Sequence, residues 1–321
     1  MSRSGLVALL FCLSALAGCQ NPPAPKPPPV TPPLATTASF PLTIKDDLGL
    51  EMTFAQAPQR IITLAPSLTE IAFALGLGDR IVGVTNYCKY PVEAQQKEKV
   101  GGYVDSSEEK IGSLAPDVIF ATRGTPKAFM DGVRGAGLKV FALDQGSFEQ
   151  IATSIETMGR VCGVEGAARK ISGSLRGTRN AILAKTMVMP DAKRWRAMMI
   201  VSLDPLFVAG AGTFQDDMLR ACGTENAAGK VAAFGNKSLE AVVQADPQVL
   251  NMSNDENGQK MTLEAQLKKL KASPAWRETA AVKQGRVYVV DAAHVSVPGP
   301  RLELGLKAMA HAIHPELFPN P

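Results

Sequence analysis

Glu109-Lys-Ile111-Gly-Ser-Leu-Ala-Pro116-Asp-Val118-Ile119 recurs further along the chain as Glu240-Ala-Val242-Val-Gln-Ala-Asp-Pro247-Gln-Val249-Leu250. Both begin with glutamate, carry an aliphatic residue two positions on and a proline seven on, and end in two aliphatics. Each copy reads as a short helix, a proline stop and a strand. Two such units point to two equivalent lobes with a ligand cleft between them. The alternative is chance similarity between two helix-proline-strand units.

The residues around the first copy extend one lobe. Phe40 to Phe54 alternates apolar and polar about Asp46-Asp47-Leu48-Gly49 and reads as a hairpin. Short β-rich runs follow at Arg60–Leu64, Ile81–Val84, Val118–Ala121 and Lys139–Ala142. Ser67 stands where an N-cap belongs, with Glu70 as capping-box partner and Leu68, Ile71, Ala72 and Leu75 on one helical face up to Gly76. Further helices are expected at Glu108–Leu114 and Pro126–Gly135. Apolar strands alternating with helices argue a parallel α/β lobe over residues 42–146.

Residues 147–190 carry no strand signal and read as a helical connector, broken near Gly159, Gly163 and Gly166. Residues 191–321 then form a second α/β lobe. Its strands are Arg196–Ser202, Val249–Met252 and Arg286–Val290. Its helices are Phe214–Cys222, Ser238–Ala245, Leu263–Leu270 and Pro300–Ala312.

The N-terminus is of another kind. Arg3 precedes an apolar run from Gly5 to Leu16, too short to span a bilayer of about 30 Å as a helix. Leu16-Ala17-Gly18-Cys19 follows and resembles the lipobox of bacterial lipoproteins. The resemblance implies removal of residues 1–18 and acylation of Cys19, with Gln20 leaving the choice of membrane open. Nine of the 23 prolines lie between Pro22 and Pro41, so residues 19–41 read as an extended tether.

Composition narrows the function. Net charge is +4, from 34 Lys+Arg against 30 Asp+Glu, too weak a balance to argue for nucleic acid. Three histidines exclude a His-rich metal site. No Gly-x-Ser-x-Gly, His-Glu-x-x-His or P-loop pattern supports an exported enzyme, which remains only a remote alternative. Cys88, Cys162 and Cys222 stay with the mature chain, so at most one disulfide can form among them, with Cys162–Cys222 a candidate pair.

Further stretches carry a resemblance. In the first lobe they are Arg60-Ile-Ile-Thr-Leu-Ala-Pro66-Ser67-Leu-Thr-Glu70, Val82-Gly-Val-Thr-Asn-Tyr87-Cys-Lys-Tyr90-Pro91, Val100-Gly-Gly-Tyr103 running into Glu109, and Pro116-Asp-Val-Ile-Phe-Ala121. Phe207-Val-Ala-Gly-Ala-Gly212-Thr-Phe and Ser238-Leu-Glu240 extend it into the second. Together they resemble the class III substrate-binding proteins of ABC importers, the cobalamin and iron-siderophore type. The resemblance implies two Rossmann-like lobes bridged by a long helix. It also implies a ligand-binding set. Tyr87 matches a tyrosine of the cobalamin binders. Tyr103 stands where they carry a tryptophan, six residues before Glu109. Phe234 lies six residues before Glu240, and Thr122 replaces a tryptophan after the strand ending at Ala121. One surface glutamate per lobe, Glu109 and Glu240, is implied to dock on permease arginines. The plainer account of each is a first-turn glutamate favouring the helix dipole.

Several residues keep two readings. His294 follows the last strand, where α/β proteins bind ligands, and is a ligand-binding candidate or a surface loop histidine. Arg123 and Arg301 are candidates for ligand carboxylates. Cys88 is a soft-metal candidate or a small buried thiol. Trp195, Trp276 and Tyr90 read as packing residues, and Gly210-Ala-Gly212 as a tight turn. The expected function is a monomeric, lipid-anchored solute-binding protein on the periplasmic face of a bacterial membrane, or on the cell surface of a single-membrane organism. It captures a cobalamin-like chelate for an ABC permease, with no enzymatic activity, resident cofactor or resident metal. Haem or a ferric siderophore is the alternative cargo.

Overall fold

A computed structural model describes residues 39–102, 105–190, 194–236, 238–256 and 259–319. The signal, Cys19, nearly all of the tether and Tyr103 lie outside the described residues. In the first lobe the strands are β1 (Leu42–Lys45), β2 (Glu51–Phe54), β3 (Ile61–Thr63), β4 (Ile81–Val84), β5 (Val118–Thr122) and β6 (Val140–Leu143). Its helices are α1 (Pro66–Ala74), α2 (Glu108–Ser113) and α3 (Lys127–Gly135). Helices α4 (Phe148–Cys162) and α5 (Glu165–Met187) follow. The second lobe contains β7 (Arg196–Leu203), β8 (Leu206–Ala209), β9 (Glu225–Asn226), β10 (Phe234–Asn236), β11 (Val249–Ser253), β12 (Asp255–Glu256), β13 (Gln259–Lys260) and β14 (Val287–Val290). With them run α6 (Phe214–Ala221), α7 (Leu239–Ala245), α8 (Leu263–Ala272), α9 (Ala280–Lys283), α10 (Ala292–Val295) and α11 (Leu302–Ile313).

The first sheet is parallel, in the order β4-β3-β5-β6. Its strands are apolar on both faces because both faces are covered. Val118 and Phe120 of β5 enter the core shared with α1 and α4, whereas Ile119 and Ala121 pack with Ile111 of α2 and Met130 of α3. The hairpin β1–β2 forms as read, and Asp46 secures its turn by accepting from the Leu48 and Leu50 amides.

The second sheet has the order β10-β8-β7-β11-β14, with β9 also alongside β7. Strands β7, β9, β11 and β14 are parallel. Strands β8 and β10 are antiparallel additions that the sequence pattern did not reveal. Ala197 and Met199 of β7 face the shared core, and Met198 and Ile200 face α7 and α8.

The two repeat units are equivalent in three dimensions. Ile61 pairs with Val118 in β3–β5, and Ala197 pairs with Val249 in β7–β11. Asp117 accepts from the Arg60 amide and Gln248 from the Arg196 amide, at 2.8 and 3.0 Å. Ala115 and Asp246, each immediately before the unit's proline, both take positive φ, 42° and 38°. The two units thus match in strand register and in the local contacts of their side chains.

The connector is two helices rather than one rod. The break falls at Gly163, whose φ of 72° suits glycine without strain and ends α4. Helix α5 folds back along α4, and Arg176 joins Glu149 and Glu156 across the pair. Its 23 residues, about 35 Å long, also contact α6 through Thr186 and α11 through Ser174. Leu175 and Ile182 of α5 belong to the same apolar core as Phe120 of the first lobe and Met218 of the second.

Three local readings need correction. Ala65, not Ser67, is the N-cap of α1, and no side chain caps it. Ser67 and Glu70 instead make long-range contacts described below. A complete capping box occurs at Ser147 and Gln150 of α4. Finally, Cys88, Cys162 and Cys222 are all free and buried, so the Cys162–Cys222 pair does not form.

Candidate functional site: an inter-lobe cleft

A cleft of about 600 Å³ opens between the lobes. One wall comes from segments after three parallel strands: Ala65–Ser67 after β3, Thr122–Gly124 at the end of β5 and Asp144–Gly146 after β6. Carboxyl ends of parallel strands are where α/β sheets hold ligands, since loops and helix N-termini converge there. This wall is polar. Arg123 donates to Asp144 Oδ2 at 2.9 Å with most of the arginine exposed, while Ser67 Oγ donates to Gln145 Oε1 at 2.6 Å.

The opposite wall is aromatic. Phe234 of β10 and Phe214 at the start of α6 face the cleft, with ring centroids 6.4 Å apart and edge-to-face. Phe207 of β8 stacks on Phe234 at 6.0 Å with the rings nearly parallel. Antiparallel pairing of Phe207 with Asn236 sets β8 and β10 side by side. Phe234 remains 42% exposed, so a large apolar face is open to a ligand rather than consumed by the core. The segment Ser296–Pro298, after α10, completes this side.

The candidate residues distribute unevenly. Thr122 and Phe234 line the cleft. Tyr87 lies in the loop after edge strand β4, 59% exposed and outside the cleft lining. His294 is half-buried in α10, two residues before Ser296; burial pushes its imidazole below the ordinary range, opposed by Asp291. Phe214, Gln145 and Pro298 were not picked out from the sequence. Their signal was positional: each lies near a strand end or helix start, without a distinctive motif.

Glu109 and Glu240 have matching local settings. Each is the second residue of its helix, exposed, behind a serine N-cap: Ser107 accepts from the Lys110 amide and Ser238 from the Ala241 amide. A hydrogen bond from its own backbone, then Ser238, holds the Glu240 carboxyl below the usual range.

The other candidates resolve structurally. Cys88 is buried with its thiol 3.0 Å from the Thr69 hydroxyl and 3.2 Å from that of Thr85. Trp276 is buried, and Trp195 stacks on His314. At Gly210 a Cβ would come within 2.1 Å of the Val231 carbonyl, so the Gly-Ala-Gly segment serves a close backbone crossing. Arg301 is engaged within the protein, bonded to Glu70 and covered by Tyr90, which leaves Arg123 as the arginine facing the cleft. Burial pushes the Glu70 carboxyl up against the pull of Arg301.

Comparison with known proteins agrees with this geometry. Residues 61–293 match the family model described as periplasmic binding protein. The chain is 33% identical to the uncharacterized ABC transporter substrate-binding lipoprotein YvrC of Bacillus subtilis, covering 98% of both. Among solved structures, the periplasmic vitamin B12 binding protein of Vibrio cholerae superposes with a TM-score of 0.69 at 25% identity, over 80% of this chain and 96% of that one. A periplasmic heme-binding protein from Pseudomonas aeruginosa superposes with a TM-score of 0.69 at 26% identity, over 80% and 93%. With two lobes, a bridging helical pair and a cleft at the strand ends, the chain belongs to the periplasmic binding protein family of ABC transporters, whose members bind solutes rather than catalyse reactions.

Proposed function

We propose that this protein is a lipid-anchored carrier that captures a cobalamin-like metal chelate between its lobes and delivers it to an ABC permease. The observation that carries the cargo reading is the two-sided cleft: phenylalanines on one wall, hydrogen-bonding groups on the other. A flat macrocycle presents a broad apolar face and a polar rim. Aromatic rings cover such a face with little side-chain entropy to lose. The volume lies within the range of about 300–1,000 Å³ usual for ligand sites. Similarity to a vitamin B12 binding protein supports the same cargo.

Thr122 and Phe234 are the wall residues of this reading, Tyr87 and His294 would approach cargo extending beyond the cavity, and Tyr103 stays a ligand-binding candidate from the resemblance alone. Glu109 and Glu240 dock the permease, one from each lobe, which fixes orientation. Residues 1–18 serve as signal, Cys19 as lipid attachment and 19–41 as tether. Residues 42–146 and 191–321 form the lobes, and 147–190 the connector. A haem or siderophore cargo is the second reading: Arg123 at the rim suits a carboxylate, and a similar solved structure is a heme-binding protein.

Calorimetric titration of the purified protein with cyanocobalamin, after recording its absorption spectrum, tests the cargo. Stoichiometric binding supports the chelate reading; no heat alongside stoichiometric hemin binding and a Soret band moves it to haem. Neither ligand binding excludes both as cargo.

A further inference from the structure

The cleft segment Ser296–Pro298 belongs to the second lobe by sequence but is fastened to the first. Gln145 Nε2 donates to the Pro298 carbonyl at 3.0 Å, and the same amide's Oε1 accepts from Ser67 at the start of α1. Three residues beyond Pro298, Arg301 Nε donates to Glu70 Oε2 at 2.9 Å and its Nη2 donates to Glu70 Oε1 at 2.5 Å. The Tyr90 ring lies 3.9 Å from the guanidinium carbon, covering a face of the arginine. Glu70 is 4% exposed and Arg301 18%, so the pair is shielded from water.

A fork-to-fork pair fixes direction as well as distance, because both bonds must be made in one plane. Burial leaves the Glu70 carboxylate no ready substitute partner, so the bonded geometry is preferred over a separated one. The tie also marks a boundary between cavities. Ser296–Pro298 faces the main cleft, while Pro300 and Arg301 line a separate pocket of about 300 Å³ with Phe73, Tyr90 and Glu93. Displacing this segment would therefore alter the cleft wall directly.

We infer that Glu70 and Arg301 are positioning residues of the binding cleft, holding the Ser296–Pro298 wall against the first lobe and thereby setting the separation of the two lobes. Neither touches the cargo in this role, and the inference does not depend on which cargo the cleft takes. A merely structural pair would contribute to folding stability without governing lobe separation.

Spin labels at Lys127→Cys on α3 and Lys268→Cys on α8, in the full chain carrying Cys12→Ser and Cys19→Ser, report that separation by pulsed dipolar spectroscopy. The unaltered pair is expected to give one narrow distance. Glu70→Gln preserves size but removes the charge, and should raise the population at longer distance about tenfold. Arg301→Lys preserves charge but loses the planar fork, and should shift the same distribution to a smaller extent. An unfolding midpoint for each variant separates loss of stability from lobe opening. Unchanged distances in folded Glu70→Gln and Arg301→Lys proteins would overturn the inference; if Glu70→Gln does not fold, Arg301→Lys alone decides it.

Discussion

Arg60 and Arg196 hold the same structural position in the two lobes. Arg60 Nη2 donates to the Leu114 carbonyl at 2.6 Å, and Arg196 Nη2 to the Asp246 carbonyl at 2.9 Å. Arg60 immediately precedes β3 and Arg196 opens β7, and each grips the end of the repeat-unit helix. The aligned amides leave unpaired carbonyls and partial negative charge there, which a guanidinium satisfies. The duplicated glutamate units are thus each buttressed from below by a residue outside the repeated sequence.

Replacing Arg60 with methionine should retain most of the stem packing and cost about 1–3 kcal/mol of stability through the lost charged hydrogen bonds. Arg196→Met should cost less, because its second contact, to the Ala245 carbonyl, is long at 3.4 Å. Urea unfolding monitored by circular dichroism measures both. Equal stability of Arg60→Met and the unaltered protein would count against a buttressing role.

Phe234 is the most exposed member of the aromatic wall and stands over Phe207. Phe234→Ala should weaken cyanocobalamin binding by about 2 kcal/mol, and Phe234→Tyr should restore most of it. Titration calorimetry measures the loss; comparable affinities for all three proteins would remove Phe234 from the binding surface.

Docking gives a different signature. Glu109→Lys together with Glu240→Lys should abolish cobalamin uptake in cells while leaving affinity for the free ligand unchanged, since both side chains are exposed and outside the cleft lining. Uptake at the original rate would show that these glutamates do not engage the permease.

The thiols are expected to be inert in the folded protein. Burial pushes Cys162 and Cys222 up to about 12, so almost none of either is thiolate at pH 8, and Cys88 is enclosed by threonine hydroxyls. Alkylation at pH 8 should label none of the three until urea is added. Peptide mass spectrometry distinguishes them, and rapid labelling of native Cys162 would contradict its enclosure.

His294 gives a pH dependence with a definite sign. Its folded-state pKa lies below the ordinary 6.5, first because burial disfavours the cation and then through Arg301 and Lys260, with Asp291 opposing. The unfolded chain therefore takes up this proton at higher pH than the folded one. The associated stability is present above pH 6.5 and lost as pH falls through the depressed folded value. His294→Gln should reduce the loss of thermal stability between pH 7.5 and 5; identical acid sensitivity in both proteins would argue that the imidazole is not desolvated.

The residues show why some features were readable before folding and others were not. Residues Val118–Ala121 read as a buried strand because every side chain is apolar, as a sheet covered on both faces requires. The helix break expected near Gly159, Gly163 and Gly166 falls at Gly163, whose backbone takes the left-handed conformation that costs glycine least. The two glutamate-to-proline units were visible because turns and helix stops act over a few residues. Ser67 and Glu70 misled for the same reason: their spacing satisfies a local rule, but their actual partners are Gln145 and Arg301.

By itself, the sequence determined the two α/β lobes and the helical interval between them, while the ligand-binding candidates Tyr87, Tyr103, Thr122 and Phe234 came from the resemblance and His294 from its place after the last strand. Only the tertiary structure decided that α4 and α5 fold into a hairpin, that β8 and β10 run antiparallel, and that a wall from the second lobe is tied to the first. Local conformation follows from the side chains within a turn or strand. A cleft follows from which distant strand ends and loops can pack together while their buried polar groups find partners.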